Sequence, residues 1–100
     1  MEAYVYILSN KSHRLYIGAT TELVRRLIEH RNRKYITAFT ARYNFDRLVY
    51  YEVLPDYEAA LARELAMKQW HRPRKVALIQ RDNPNWLDLT ARLSDLSFLR

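Results

Sequence analysis

Hydrophobic and polar positions alternate twice near the start of the chain and then change period. In Ala3 to Ser9, AYVYILS, the alternation of a strand puts Ala3, Val5 and Ile7 on one face and Tyr4, Tyr6 and Leu8 on the other. Leu15 to Thr20, LYIGAT, repeats the pattern after the polar NKSHR, so the two runs predict strands joined as a hairpin. Tyr16 and Gly18 share one face of the second run, opposite Leu15, Ile17 and Ala19. If both aliphatic faces meet one core layer, Tyr6 and Tyr16 lie together on the other side of the sheet. From Thr20 or Thr21, either of which can cap a helix through its hydroxyl, the spacing becomes helical: Leu23, Val24, Leu27 and Ile28 recur through about His30. Arg26 and His30, four positions apart, line one flank of that stripe.

A basic, turn-rich connection, HRNRKYITAFTARYNFD, leads to RLVYYEV at Arg47 to Val53, which predicts a third strand. Pro55 ends it, Asp56 is placed to cap, and YEAALARELAMKQW predicts a second helix to about Trp70. Pro73 breaks that helix, RKVALIQ predicts a short third one, and NPNWLDLTARLSDL places Pro84 at the first position of a final helix docked by Trp86, Leu89, Leu93 and Leu96. The order of elements predicts an α+β fold, and the length predicts one domain over residues 1–100. At about 100° per residue, Tyr57, Ala60, Leu61 and Leu65 form the core stripe of the second helix, with Glu64 and Lys68 inside it. A charge in that stripe is costly unless it is paired or bound to metal. Two readings stay open: an ion pair between Glu64 and Lys68 at the edge of the core, or a carboxylate presented to a cleft.

Charge narrows the partners. Lys and Arg number 17 against 11 Asp and Glu, a formal net charge of +6, which favours a polyanion such as DNA or RNA but also serves simple solubility. The chain has no cysteine, and His13, His30 and His71 form no close ligand pair, so a structural zinc site is excluded and any metal is a hard ion bound through oxygen. The first residues lack the layout of a signal peptide, and no apolar run approaches the roughly 18 residues that span a bilayer. The expectation is a cytoplasmic protein with no membrane partner. Gly18, the one glycine in the chain, either eases the passage from strand to helix or leaves clearance at a site.

Together, VYI at Val5 to Ile7, YIG at Tyr16 to Gly18, Arg26 ten residues after Tyr16, His30 four further on and Glu64 in a later helix resemble the GIY-YIG nuclease superfamily. RLVYYE (Arg47 to Glu52), ARELAMKQW (Ala62 to Trp70), KVALI (Lys75 to Ile79) and NPNWLDL (Asn83 to Leu89) are similar to its stand-alone, single-domain bacterial members of endonuclease type. The resemblance implies a small three-stranded antiparallel sheet flanked by helices, and metal-dependent hydrolysis of DNA phosphodiester bonds with Mg²⁺ or Mn²⁺. It implies that Tyr6 is the first-motif tyrosine, Tyr16 activates the attacking water, Arg26 contacts phosphate, His30 assists Tyr16, and Glu64 is the carboxylate ligand of the metal. A tyrosine ordinarily ionises near pH 10, so that role needs nearby cations or a proton relay. One glutamate suffices for Mg²⁺, which keeps several waters and draws other ligands from phosphate. Lys34, Arg42, Lys68, Arg72, Arg74 and Lys75 are the candidate nucleic-acid contacts, on branched or single-stranded DNA read by shape with weak sequence selectivity. Two positions depart from the family pattern. Tyr4 stands where the first motif has glycine, and no asparagine lies near Lys75 or Val76, where many family nucleases carry one. The alternative is a non-catalytic nucleic-acid-binding module that keeps the fold and the basic surface.

Overall fold

The first two apolar runs pair as the hairpin their alternation predicts. β1 (Ala3–Ser9) and β2 (Leu15–Thr20) are antiparallel, with Tyr6 opposite Gly18 and Leu8 opposite Tyr16. Asn10 shapes the loop: its Oδ1 accepts from the backbone N–H groups of Ser12 and Arg14, both at 3.0 Å, and His13 takes a positive φ of 61°. β3 (Arg47–Leu54) pairs antiparallel with the other edge of β1, so the sheet order is β2-β1-β3. A bulge between Ile7 and Leu8 shifts the register and turns both Val49 and Tyr50 toward the same layer. The computed structural model describes residues 1–31 and 44–97, with side chains 31 and 94–97 excepted. Its helices are α1 (Leu23–Arg31), α2 (Tyr57–Lys68), α3 (Arg72–Asp82) and α4 (Thr90–Ser97).

The sheet divides the molecule into two apolar layers, as the period-2 pattern requires. Ala3, Val5, Ile7 and Ile17 are buried against Ala60 and Met67 of α2, Ile79 of α3 and Trp86. On the other face Tyr6, Leu8 and Leu48 pack with Leu23 and Leu27 of α1, Phe45, Leu89 and Leu93. Each of the Val, Leu, Ile, Phe and Met side chains among them contributes about 1.5–3 kcal/mol by leaving water. The tyrosine face is therefore also the face that receives α1, which brings Arg26 and His30 over the strands. Among the described residues no helix is long and apolar enough to cross a membrane.

Three expectations about the helices change. Tyr57, Leu61 and Leu65 are exposed, and the buried positions of α2 are Ala60 and Met67. The rotation has two visible causes. Ala60 is small enough to let the helix lie close on the sheet, and Arg63 is anchored to Glu52 of β3 through Nε to Oε2 at 2.7 Å and Nη2 to Oε1 at 3.3 Å. Tyr50 donates its hydroxyl to the same carboxylate, and burial followed by that carboxylate pushes its phenol up to about 12. Pro73 does not break α2; it lies in the first turn of α3, where its missing N–H costs nothing.

The last helix starts at Thr90 rather than Pro84. Asn83 explains the delay. Its Nδ2 donates to the carbonyls of Val49 and Leu87, its Oδ1 accepts from Leu87 N–H, and the chain is held in a turn with Trp86 at a φ of 55°. Asp88 then caps α4 by accepting from the backbone and hydroxyl of Thr90, at 3.1 and 2.7 Å. Trp86 docks into the layer of α2 and α3 and stacks on His13, 4.2 Å between ring centres, which secures the hairpin loop. Leu96, proposed above as a docking residue, has its side chain outside the described residues.

Candidate active site

Gly18 has no positive φ and lies inside β2, so it is not a turn residue. Its missing side chain is filled by its cross-strand partner. A Cβ at this position would stand 2.5 Å from the Tyr6 hydroxyl oxygen, 2.6 Å from Cζ and 2.9 Å from Cε1. The hydroxyl end of the buried Tyr6 ring lies against the glycine, on the sheet face it shares with Tyr16. Gly18→Ala is therefore expected to lower stability by about 1–3 kcal/mol through overpacking and to displace the Tyr6 ring. A thermal melt and the Tyr6 ring NMR shifts measure this; an unchanged melting temperature with unmoved ring signals would contradict it.

The two phenols form one unit. Their ring centres are 6.3 Å apart and a side-chain hydrogen bond joins them. Burial first, then the negative charge that Tyr16 and Glu64 would oppose to a second anion, hold the Tyr6 phenol well above its ordinary range, while Arg26 pulls the other way. Tyr6 thus keeps its proton, and a hydrogen bond that raises its pKa is one it donates to the Tyr16 oxygen. His30 lies edge-on to both rings, 5.4 Å from Tyr16 and 6.3 Å from Tyr6 between centres. Its own burial, and then the positive charge of Arg26, lower its pKa below 6.5, with Glu29 opposing. The imidazole is neutral at pH 7 and able to take a proton. Phe45 closes the far side of Tyr16 at 5.8 Å.

Glu64 belongs to α2, which lies across β2 and β1, yet its charge is felt at Tyr6 on the opposite face. Its side chain is 13% exposed and its Oε2 accepts from Lys68 Nζ at 2.5 Å. The rotation of α2 resolves the earlier anomaly, because Glu64 lies on the flank of the buried face rather than within an apolar stripe. Both open readings keep a foothold: the ion pair exists, and the carboxylate's charge also acts on the Tyr6 phenol. No group of three metal-ligating His, Asp or Glu side chains occurs among the described residues. The donor set nevertheless fits a hard divalent ion of the Mg²⁺ kind, which takes one protein carboxylate with water and phosphate oxygens; Lys68 engages one carboxylate oxygen and leaves the other for such an ion.

The structure brings the rings of Tyr6, Tyr16 and His30 together, with the charges of Arg26 and Glu64 acting on Tyr6. The predicted nucleic-acid contacts are not gathered in the same way. Lys68 is beside Glu64, but Arg72 donates to the carbonyl of His13 at 2.8 Å and Arg74 lies over Trp70 at 3.9 Å, so both help to join α3 to its surroundings. Lys75 is half-buried on α3, and Lys34 and Arg42 lie outside the described residues. Asn83 replaces no missing asparagine of the site, since its amide is fully engaged with Val49 and Leu87. The residue that sequence reasoning passed over is Glu29. With Thr20, Thr21, Glu22, Arg25 and Arg26 it lines a polar cleft of about 380 Å³ at the start of α1. Its signal was its position, three and four residues beyond Arg26 and Arg25.

Known proteins are similar to this chain in sequence and fold. The family model for the GIY-YIG catalytic domain matches residues 2–77. A UPF0213 protein of Syntrophus aciditrophicus is 34% identical over 79 residues, covering 79% of this chain and 91% of the relative. One from Streptococcus pyogenes is 40% identical over 80 residues, 78% of this chain and 85% of its own. The solution NMR structure of a UPF0213 protein from Bacillus halodurans matches with a TM-score of 0.56 at 32% identity, covering 90% of this chain and 95% of that one. Its likeness agrees with the three-stranded antiparallel sheet and flanking helices. With the family model spanning most of the chain and the relatives covered over most of their length, the chain belongs to the GIY-YIG catalytic domain family, a family of nuclease type.

Proposed function

We propose that the protein is a divalent-metal-dependent endonuclease that hydrolyses DNA phosphodiester bonds, directed by the shape of branched or single-stranded DNA rather than by base sequence. The observation that carries this reading is the hydrogen-bonded Tyr6–Tyr16 pair with neutral His30 edge-on to it and the charges of Arg26 and Glu64 acting on the same phenol. Tyr6 holds its proton and fixes the Tyr16 oxygen. Tyr16 takes a proton from the attacking water as its own hydroxyl proton passes to His30. Arg26 offers its forked donors to the non-bridging phosphate oxygens, where negative charge grows. Glu64 would hold Mg²⁺ or Mn²⁺, which when bound would neutralise charge at the phosphate and the leaving oxygen.

Incubating the protein with branched, flapped, single-stranded and plain duplex DNA tests the reading. Cleavage is expected with Mg²⁺ or Mn²⁺ and is lost on chelation, with the branched and single-stranded forms cut first. No cleavage of any substrate in either metal would overturn it. Tight, salt-sensitive binding without turnover would instead favour the non-catalytic binding module, a reading kept alive by Asn83 being locked in a structural role.

A further inference from the structure

We infer that Glu29 is a positioning residue that holds Arg25 and Arg26 side by side as a two-guanidinium receptor for the phosphates of the bound strand. The proposal rests on the reading of this site as one that handles phosphodiesters. Each oxygen of the Glu29 carboxylate takes one arginine: Oε2 is 3.3 Å from Arg25 Nε, and Oε1 is 3.5 Å from Arg26 Nε. The accessibilities are unequal in a telling way. Glu29 is 16% exposed, beneath guanidinium groups that are 67% and 45% exposed. An ordinary solvated helix pair has both partners in water and contributes little. Here the carboxylate is withdrawn from water, so it depends on its arginines for compensation, and they in turn are tied at a fixed base.

The tie is made at Nε on both side chains. Arg25 Nη1 has a further contact with Glu22 at 3.3 Å, but Glu22 is 59% exposed and free to yield to a competing anion. Glu29 is not. An incoming phosphate therefore meets two heads already oriented, and displaces Glu22 rather than Glu29. Guanidinium forks match phosphate oxygens two by two, and preorientation spares the ordering of two long side chains when the strand binds. Arg25 lies in the same cleft as Arg26, so it is suited to the phosphate next to the one being cut. This assigns a role to Arg25, which the helix pattern alone leaves as a solvated residue.

The Nε–H resonances of Arg25 and Arg26 in the free, metal-free protein provide the first readout. They are expected to report restricted side-chain motion in the wild type, a restriction lost in Glu29→Ala and partly kept in Glu29→Gln, which preserves the shape and an oxygen acceptor. The second readout is binding of a short single-stranded oligonucleotide without metal, weakened about tenfold in Glu29→Ala and less in Glu29→Gln, on the scale of losing a preorganised clamp. Glu29→Gln keeps the test sound if the alanine variant folds poorly. Unchanged side-chain order at Arg25 and Arg26 in Glu29→Ala, or unchanged oligonucleotide affinity with that order lost, would overturn the proposal. Neither readout needs turnover, so a failure here is distinguishable from a failure of the nuclease reading.

Discussion

Replacing Glu64 with alanine is expected to lower metal-dependent cleavage by about 10³-fold, the scale on which loss of one preorganised charge stabiliser slows an enzyme. The fold should survive. The ion pair with Lys68 involves a lysine 48% exposed, so losing it changes stability by no more than about 1 kcal/mol. This pairing of large kinetic and small thermodynamic effects separates the two roles the helix pattern leaves open. A carboxylate that only balances Lys68 would, when removed, shift the melting temperature slightly and leave cleavage intact. A carboxylate that holds the metal makes the Mg²⁺ concentration for half-maximal rate rise steeply in Glu64→Gln as well, since the amide keeps the volume but loses the charge. The measurement is a metal titration of initial rates beside a thermal melt. Full activity of Glu64→Ala at the wild-type Mg²⁺ requirement would remove Glu64 from the site.

What the sequence conveyed depended on whether the information was local. The strands were legible because alternation is a local property, and the register that sets Tyr6 against Gly18 follows from hairpin pairing of those two runs. The side on which Tyr6 and Tyr16 meet followed from the same alternation. The rotation of α2 was not legible. Leu61 and Leu65 outweigh Ala60 in any hydrophobic count, but closeness of approach favours Ala60 against the sheet, and the Arg63 to Glu52 contact that fixes the rotation spans eleven residues and two elements. The start of α4 was hidden for a similar reason, because Asn83 is a turn latch only when Val49 of β3 is beside it. Of the two readings of Gly18, the structure favours clearance over the passage from strand to helix, and the group that needs the space is the Tyr6 ring, which only the cross-strand register reveals. Charge ran the opposite way, being easy to count and hard to place: Arg72 and Arg74 belong to the basic total but are held by His13 and Trp70.

Tyr16→Phe is the sharper test of the chemistry, with an expected loss of about 10²–10⁴-fold in rate, the range for removing a general base. Stability complicates the variant, and the structure shows how to separate the effects. Tyr6 is buried, and its hydroxyl donates to the oxygen that the substitution deletes, so an unsatisfied donor costs about 1–3 kcal/mol. Removing both hydroxyls in Tyr6→Phe/Tyr16→Phe relieves that cost, because neither ring then buries an unpaired polar group. The double variant is expected to melt near the wild type while remaining as slow as Tyr16→Phe. The pH dependence adds an independent constraint. In the proposed mechanism His30 accepts the relayed proton only when neutral, and burial with Arg26 beside it places its pKa below 6.5. The rate should therefore be held from neutral pH down past 6.5 and fall only as the imidazole becomes charged. Stability follows the same sign: below about pH 6.5 the unfolded chain binds a proton at this histidine that the folded chain resists, so the fold weakens as pH falls. His30→Gln should abolish that acid limb and lower the rate while leaving the Tyr6 to Tyr16 hydrogen bond in place. If Tyr16→Phe cuts as fast as the wild type once stability is matched by the double variant, the water is activated by some other group.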